Sequence, residues 1–185
     1  MKEESLLLLS DLQKLINQVV LIDYTIIILG GNNMKFQEEL ILTIIAGSRK
    51  FIDQLRLNKV CNWIFAYKKI AYSDVEIISG TCRGADIMGE NFAKTYNIPV
   101  KRFPADWKLY GKNAGNVRNR QMAEYASSNS SNNGVLIAFA NSRCKGTMNM
   151  INLAIDYKLD VFVVWYEEQR IERYNYKTNQ FVKII

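Results

Sequence analysis

The stretch LILTIIAGSR, residues 40–49, decides the fold. Seven apolar or β-branched residues in succession run straight into Gly47, Ser48 and Arg49. An unbroken run of this kind, without polar alternation, is the signature of a strand buried on both faces, and such strands belong to parallel sheets covered by helices. The glycine marks a turn. Helical periodicity then begins, with Leu57, Val60, Ile64, Tyr67 and Ala71 on one stripe. The same succession returns downstream. Apolar runs at 75–79, 100–103, 135–140 and 161–165 are interleaved with the stripes Ala85, Met88, Phe92, Tyr96 and Met148, Ile151, Ile155. Regular β-α alternation predicts an open, doubly wound α/β sheet, mainly parallel, with helices on both faces.

The two ends depart from this rhythm. Residues 171–176 and 181–185 flank Lys177, Thr178, Asn179 and Gln180, the pattern of a terminal hairpin. Upstream, Leu8, Leu12, Leu15, Ile16 and Val19 recur at helical spacing, and residues 24–29 are β-rich and stopped by Gly30, Gly31, Asn32 and Asn33. Glu3 and Glu4 oppose a signal peptide, and Asp11, Lys14 and Asp23 interrupt the apolar run short of a membrane span. The expected division is a helix-strand extension over 1–40, an α/β domain over 41–170 and a hairpin over 171–185.

Composition bounds the chemistry. The 185 residues carry 24 Lys plus Arg against 18 Asp plus Glu, a formal charge of +6, and no His. A Ser-His-Asp triad, an HExxH zinc site and a histidine general base are therefore excluded. Cys61, Cys82 and Cys144 form no CxxC pair and no zinc framework, which predicts a reducing, cytoplasmic setting. The excess positive charge points to an anionic partner: nucleic acid, an acidic membrane surface or a phosphorylated small molecule.

In a doubly wound sheet, ligands bind where loops leave the carboxyl ends of the strands and strand order reverses. The unusual residues of this chain fall on those loops. One turn holds Gly47, Ser48 and Arg49, a second holds Ser79, Gly80, Thr81, Cys82, Arg83, Gly84 and Asp86, and a third holds Ser142, Arg143, Cys144, Lys145, Gly146 and Thr147. Each opens a helix, whose free N–H groups and positive dipole end suit a phosphate. The third crossover adds Asp106, Trp107, Tyr110, Lys112, Gly115, Arg118 and Asn119. Trp107 or Tyr110 could stack on a base, Asp106 could accept from ribose hydroxyls, and Lys112 and Arg118 could meet phosphate oxygens. The structural alternative is that Trp107 is a lid and that Arg118 pairs with Asp86 or Asp106.

The motifs GSRKF, ISGTCRGAD, FPADWKLYGKNAGNVRNRQMAEYA, LIAF and SRCKGTMNMI, in this order, resemble the YspA/CpYpsA-related branch of the SLOG superfamily, over about residues 43–165. The resemblance implies a Rossmann-like fold that binds nucleotides or nucleotide-derived ligands. Distant kin, the cytokinin-activating phosphoribohydrolases, carry a Pro-Gly-Gly-x-Gly-Thr-x-x-Glu turn whose Glu serves catalysis. Here Gly146 and Thr147 match, but Met150 stands at the Glu position, and a thioether cannot transfer a proton.

The expectation is therefore capture rather than turnover: a sensor or sequestering sponge for a phosphorylated nucleotide derivative, ADP-ribose-like or cyclic. The alternative is a nucleotide hydrolase with Asp86 and Asp106 as candidate acids. Mg²⁺ is compatible with a phosphorylated ligand, although no metal ligands are assigned. A homo-oligomer is expected from the apolar extension. Nucleic acid is not an expected partner, because the cations cluster at turn loops and no basic run with interleaved aromatics is evident.

Overall fold

The computed structural model describes residues 40–128, 134–141 and 143–185. The helix and strand expected within 1–40 lie outside the described residues, as does Ser142.

Five parallel strands build the centre: β1 (Ile41–Gly47), β2 (Val75–Ser79), β3 (Val100–Arg102), β4 (Val135–Ala140) and β5 (Asp160–Trp165). The hairpin strands β6 (Arg170–Asn175) and β7 (Gln180–Lys183) continue the same sheet antiparallel, giving the order β3-β2-β1-β4-β5-β6-β7. The expected hairpin is thus an extension of the main sheet. Strand order reverses between β1 and β4, so that junction is the switch point.

Alternation along the strands divides the core. Ile45, Ile77, Ile137, Phe139 and Phe162 face helices α1 (Gln54–Lys68) and α2 (Ala85–Thr95), where Leu57, Ile64, Phe65 and Phe92 are buried. Ile44, Ile78, Leu136, Ala138 and Val163 face the opposite layer. That layer holds α4 (Ala114–Ala126) and α5 (Lys145–Asp156), through Met122, Ala126, Met150 and Ile151. A one-turn helix, α3 (Trp107–Tyr110), precedes α4. Burying each large aliphatic side chain contributes about 1.5–3 kcal/mol, so the two faces together hold the sheet between its helices. Ala71, expected on the α1 stripe, lies beyond the helix, because Lys69 takes a left-handed φ of 56° and its N–H closes on Ala66 and Phe65 carbonyls. Among the described residues no helix is long and apolar enough to cross a membrane.

Candidate functional site

A cavity of about 690 Å³ lies at the carboxyl ends of β1, β4 and β5, at the switch point. Its walls come from the loop after β1, the start of α2, the first turns of α4 and α5, and the residues following β5. Of the expected site residues, Gly47, Ser48, Arg49, Arg83, Asp86, Gly115, Arg118, Asn119, Gly146 and Thr147 line it.

The loops are built around hydrogen bonds that leave little slack. The Ser48 N–H donates to the Phe139 carbonyl (2.9 Å), and the Ser48 carbonyl accepts from Phe51 (3.1 Å) and from Ala85 (3.4 Å) at the start of α2. Ser48 Oγ accepts from the Lys50 N–H (3.1 Å), which fixes the Arg49 turn. Gly84 enters α2 with φ of +86°, and an added Cβ would lie 2.3 Å from the Ser48 carbonyl oxygen, so the two phosphate-type turns touch only because Gly84 lacks a side chain.

One buried ion pair organises the interior. Arg118 Nη1 donates to the Gly80 carbonyl and to Asp86 Oδ2 (3.3 Å), and its Nη2 donates to Cys82 Sγ (3.6 Å). Burial raises the Asp86 carboxyl above its ordinary value, opposed by the Arg118 guanidinium and by the backbone N–H groups of Cys82 and Gly47. Arg118 is therefore engaged within the protein, the structural pairing anticipated as the alternative for this residue. Gly80 makes room for this pair and does not line the cavity: an added Cβ would fall 1.5 Å from Arg118 Nη1. Gly146 behaves oppositely, with nothing within 4 Å of an added Cβ, so its missing side chain is open space at the cavity wall.

The free cations stand at the rim. Arg49, Lys50, Arg83 and Arg143 are exposed lining residues. Arg49 Nη2 donates to Cys82 Sγ (3.8 Å), so two guanidiniums approach that thiol. None of the four forms an ion pair among the described residues. The first turn of α5 adds Gly146 and Thr147, and its N-cap residue Cys144 supplies no side-chain cap. Those N–H groups therefore remain available at the cavity wall. Asn119 Nδ2 ties α4 to this turn, donating to the Gly146 carbonyl (3.2 Å) and to Asn149 Oδ1 (2.9 Å).

Several expected residues lie elsewhere. Ser79 Oγ donates to Glu90 Oε1 (2.7 Å) and accepts from the Thr81 N–H (3.0 Å), so both residues shape the loop beneath the cavity. Asp106 is the N-cap of α3: its Oδ1 accepts from the N–H groups of Lys108 (3.0 Å) and Leu109 (2.9 Å), a local use that removes it from the cavity. Trp107, Tyr110, Lys112 and Lys145 are exposed and do not line it. Conversely, Asn116, Tyr166 and Glu167 line the cavity without having been expected. Asn141 Nδ2 donates to Tyr166 Oη (2.8 Å) and Glu167 Oε1 (3.1 Å). Tyr166 and Glu167 directly follow β5, so the rule about strand carboxyl ends was the signal for them.

The residues do not make a metal centre. The lining carboxylates are Asp86, held by Arg118, and Glu167, held by Asn141. Among the described residues no group of three or more His, Cys, Asp or Glu could hold a metal ion.

Residues 43–110 match the model of the YspA, cpYpsA-related SLOG family. This segment is SLOG. The match covers the β1 and β2 turns of the cavity and stops before α4 and α5, which bring Arg118 and Thr147 to its wall from outside the matched segment. Among solved structures, the X-ray structure of DNA processing protein A (DprA) from Streptococcus pneumoniae is similar, with a TM-score of 0.51 and 15% identity. The likeness covers 71% of this chain and 52% of that one, so the chain spans about half the length of that structure. At this identity the likeness shows the Rossmann-like fold alone. No curated protein matches the chain.

Proposed function

We propose that this SLOG pocket captures a phosphorylated, nucleotide-derived small molecule, ADP-ribose-like or cyclic, and acts as a sensor or a sequestering sponge. The observation that carries the reading is the segregation of charge. Inside, Arg118 and Asp86 neutralise each other; at the rim, Arg49, Lys50, Arg83 and Arg143 stand without ion-pair partners among the described residues, beside an uncapped helix start. An anion entering this cavity meets cations that need not be released from other carboxylates, and a helix start that adds to the attraction.

Turnover has little support in the arrangement. Asp86 is locked by two partners, Asp106 is a helix cap, and Met150 occupies the cavity wall where a hydrolase of the distant kin would place Glu. The decisive experiment is mass spectrometry of small molecules released on denaturing the purified protein, followed by calorimetry with ADP-ribose and cyclic nucleotides. Intact ligand recovered from the complex is the expected result. Release of free base or ribose phosphate during incubation would replace the binder with a hydrolase. Self-association through the apolar segment 1–40 belongs to the same proposal, and light scattering that finds a concentration-independent monomer removes it.

A further inference from the structure

A second cavity, of about 750 Å³, opens at the opposite end of the sheet. It is bounded by the end of α1, the start of β5 and the hairpin, and Ile41, the first residue of β1, reaches it. The seven residues of β1 place it roughly 20 Å from the SLOG pocket at about 3.3 Å per residue. Its chemistry differs from that of the pocket.

Lys68, Lys158, Arg173 and Lys177 share this cleft with Tyr67, Tyr174 and Tyr176. Asp160 is the one carboxylate among the lining residues, and its acceptors are taken: Lys68 Nζ donates to it, and Arg173 donates through Nε (2.7 Å) and Nη2 (2.9 Å). Lys158 and Lys177 form no ion pair among the described residues. Lys158 Nζ instead lies 5.2 Å from the centroid of the Tyr176 ring. Tyr67 is 49% exposed and is backed by Trp63, with ring centroids 5.2 Å apart at 14°. The sequence alternates cation and aromatic only over Arg173 to Lys177, too short a run to register by itself; folding adds Tyr67 and Lys158 from distant elements.

We propose that this cleft binds single-stranded nucleic acid, with bases stacking on Tyr67 and Tyr176 and phosphates meeting Lys158 and Lys177. A single strand suits it because only unpaired bases expose the faces that tyrosines stack on, and stacking with backbone cations tolerates any sequence. A duplex would offer its phosphates to the two lysines but leave both rings unused. The proposal is independent of the ligand in the SLOG pocket.

The test is fluorescence anisotropy of the full chain with a labelled oligothymidylate of about 15 nucleotides at low salt. Binding is expected, weaker for a duplex of matched length. The double variant K158E/K177E lowers affinity at least tenfold and reduces the slope of log affinity against log salt by about 1.4, from two phosphate contacts at ~0.7 each. Tyr67→Ala lowers affinity about tenfold, and thermal melting of each variant verifies that it is folded. The proposal is overturned by absence of binding at low salt, by preference for the duplex, or by undiminished binding in folded K158E/K177E. Two further outcomes would also overturn it. Loss of binding in Arg49→Glu alone would move the strand to the SLOG pocket, and displacement of the oligomer by thymidine monophosphate at equal nucleotide concentration would make the cleft a mononucleotide site.

Discussion

The two ends of the sheet handle charge in opposite ways. At the carboxyl end, the buried pair Arg118 and Asp86 lies at the cavity wall beneath a rim of cations that have no ion-pair partner among the described residues. At the amino end, the central carboxylate Asp160 sits among cations and binds two of them near solvent, where the Lys68 and Arg173 side chains keep 21% and 39% of their exposure. The first arrangement separates structure from recognition, because Arg118 and Asp86, although at the cavity wall, are engaged with each other while the rim cations have no ion-pair partner among the described residues. The second merges them, since Arg173 ties the hairpin and Lys68 ties α1 to Asp160 at the start of β5, and both line the cleft. Damage at the carboxyl end should therefore split cleanly into stability and binding defects, whereas damage at the amino end should mix them.

The largest effect is expected from Arg118→Ala, which leaves Asp86 buried and unpaired; unfolding by denaturant should show a loss of about 3–5 kcal/mol. A loss no greater than that of Asp160→Asn, about 2 kcal/mol from charge-assisted hydrogen bonds near solvent, would erase the distinction between the two ends. Next comes binding at the rim. Arg49→Ala and Arg83→Ala should each weaken a phosphorylated ligand by about 1–3 kcal/mol in calorimetry while the unfolding midpoint stays put. Gly146→Val sharpens the same point: its side chain enters empty space, so stability should shift by about 0.5 kcal/mol or less while ligand affinity falls. Gly80→Val should behave oppositely, unfolding the protein through its collision with Arg118.

The smallest effect concerns Tyr176. Burial pushes its phenol up to about 12 from an ordinary 10.0, helped by Asp160, Tyr174 and Asp156. Because the folded state holds this proton more tightly than the unfolded chain, the contribution to stability is complete below pH 10 and is lost as pH rises through 12. Tyr176→Phe should remove that part of the alkaline decline, measured by denaturant unfolding across the interval.

Much of the fold was legible because burial on both faces leaves unbroken apolar runs, and five such runs became β1 to β5 within a residue or two. The turn positions of Gly47, Arg83 and Gly146 followed from the same pattern, since a strand end and a helix start are local signals. What escaped was decided by contacts far apart in sequence. Arg118 finds Gly80 and Asp86 more than thirty residues away, so whether its charge faces a ligand or a carboxylate is not encoded nearby. Asp106 failed for the opposite reason: its partners are two and three residues on, and an acidic residue before a short helix serves as a cap before it serves anything else. The amino-end cleft was invisible because its aromatic and basic groups come from α1, the start of β5 and the hairpin.

The borders of the sheet carry a consequence for assembly. Among the described residues, one border is β3, three residues long with Lys101 and Arg102 exposed, and the other is β7, four residues long and ending in exposed Lys183. Short, cationic borders repel a copy of themselves and offer few backbone groups to pair with. Among the described residues, neither border of the sheet is therefore suited to lengthening it by pairing with a copy of itself.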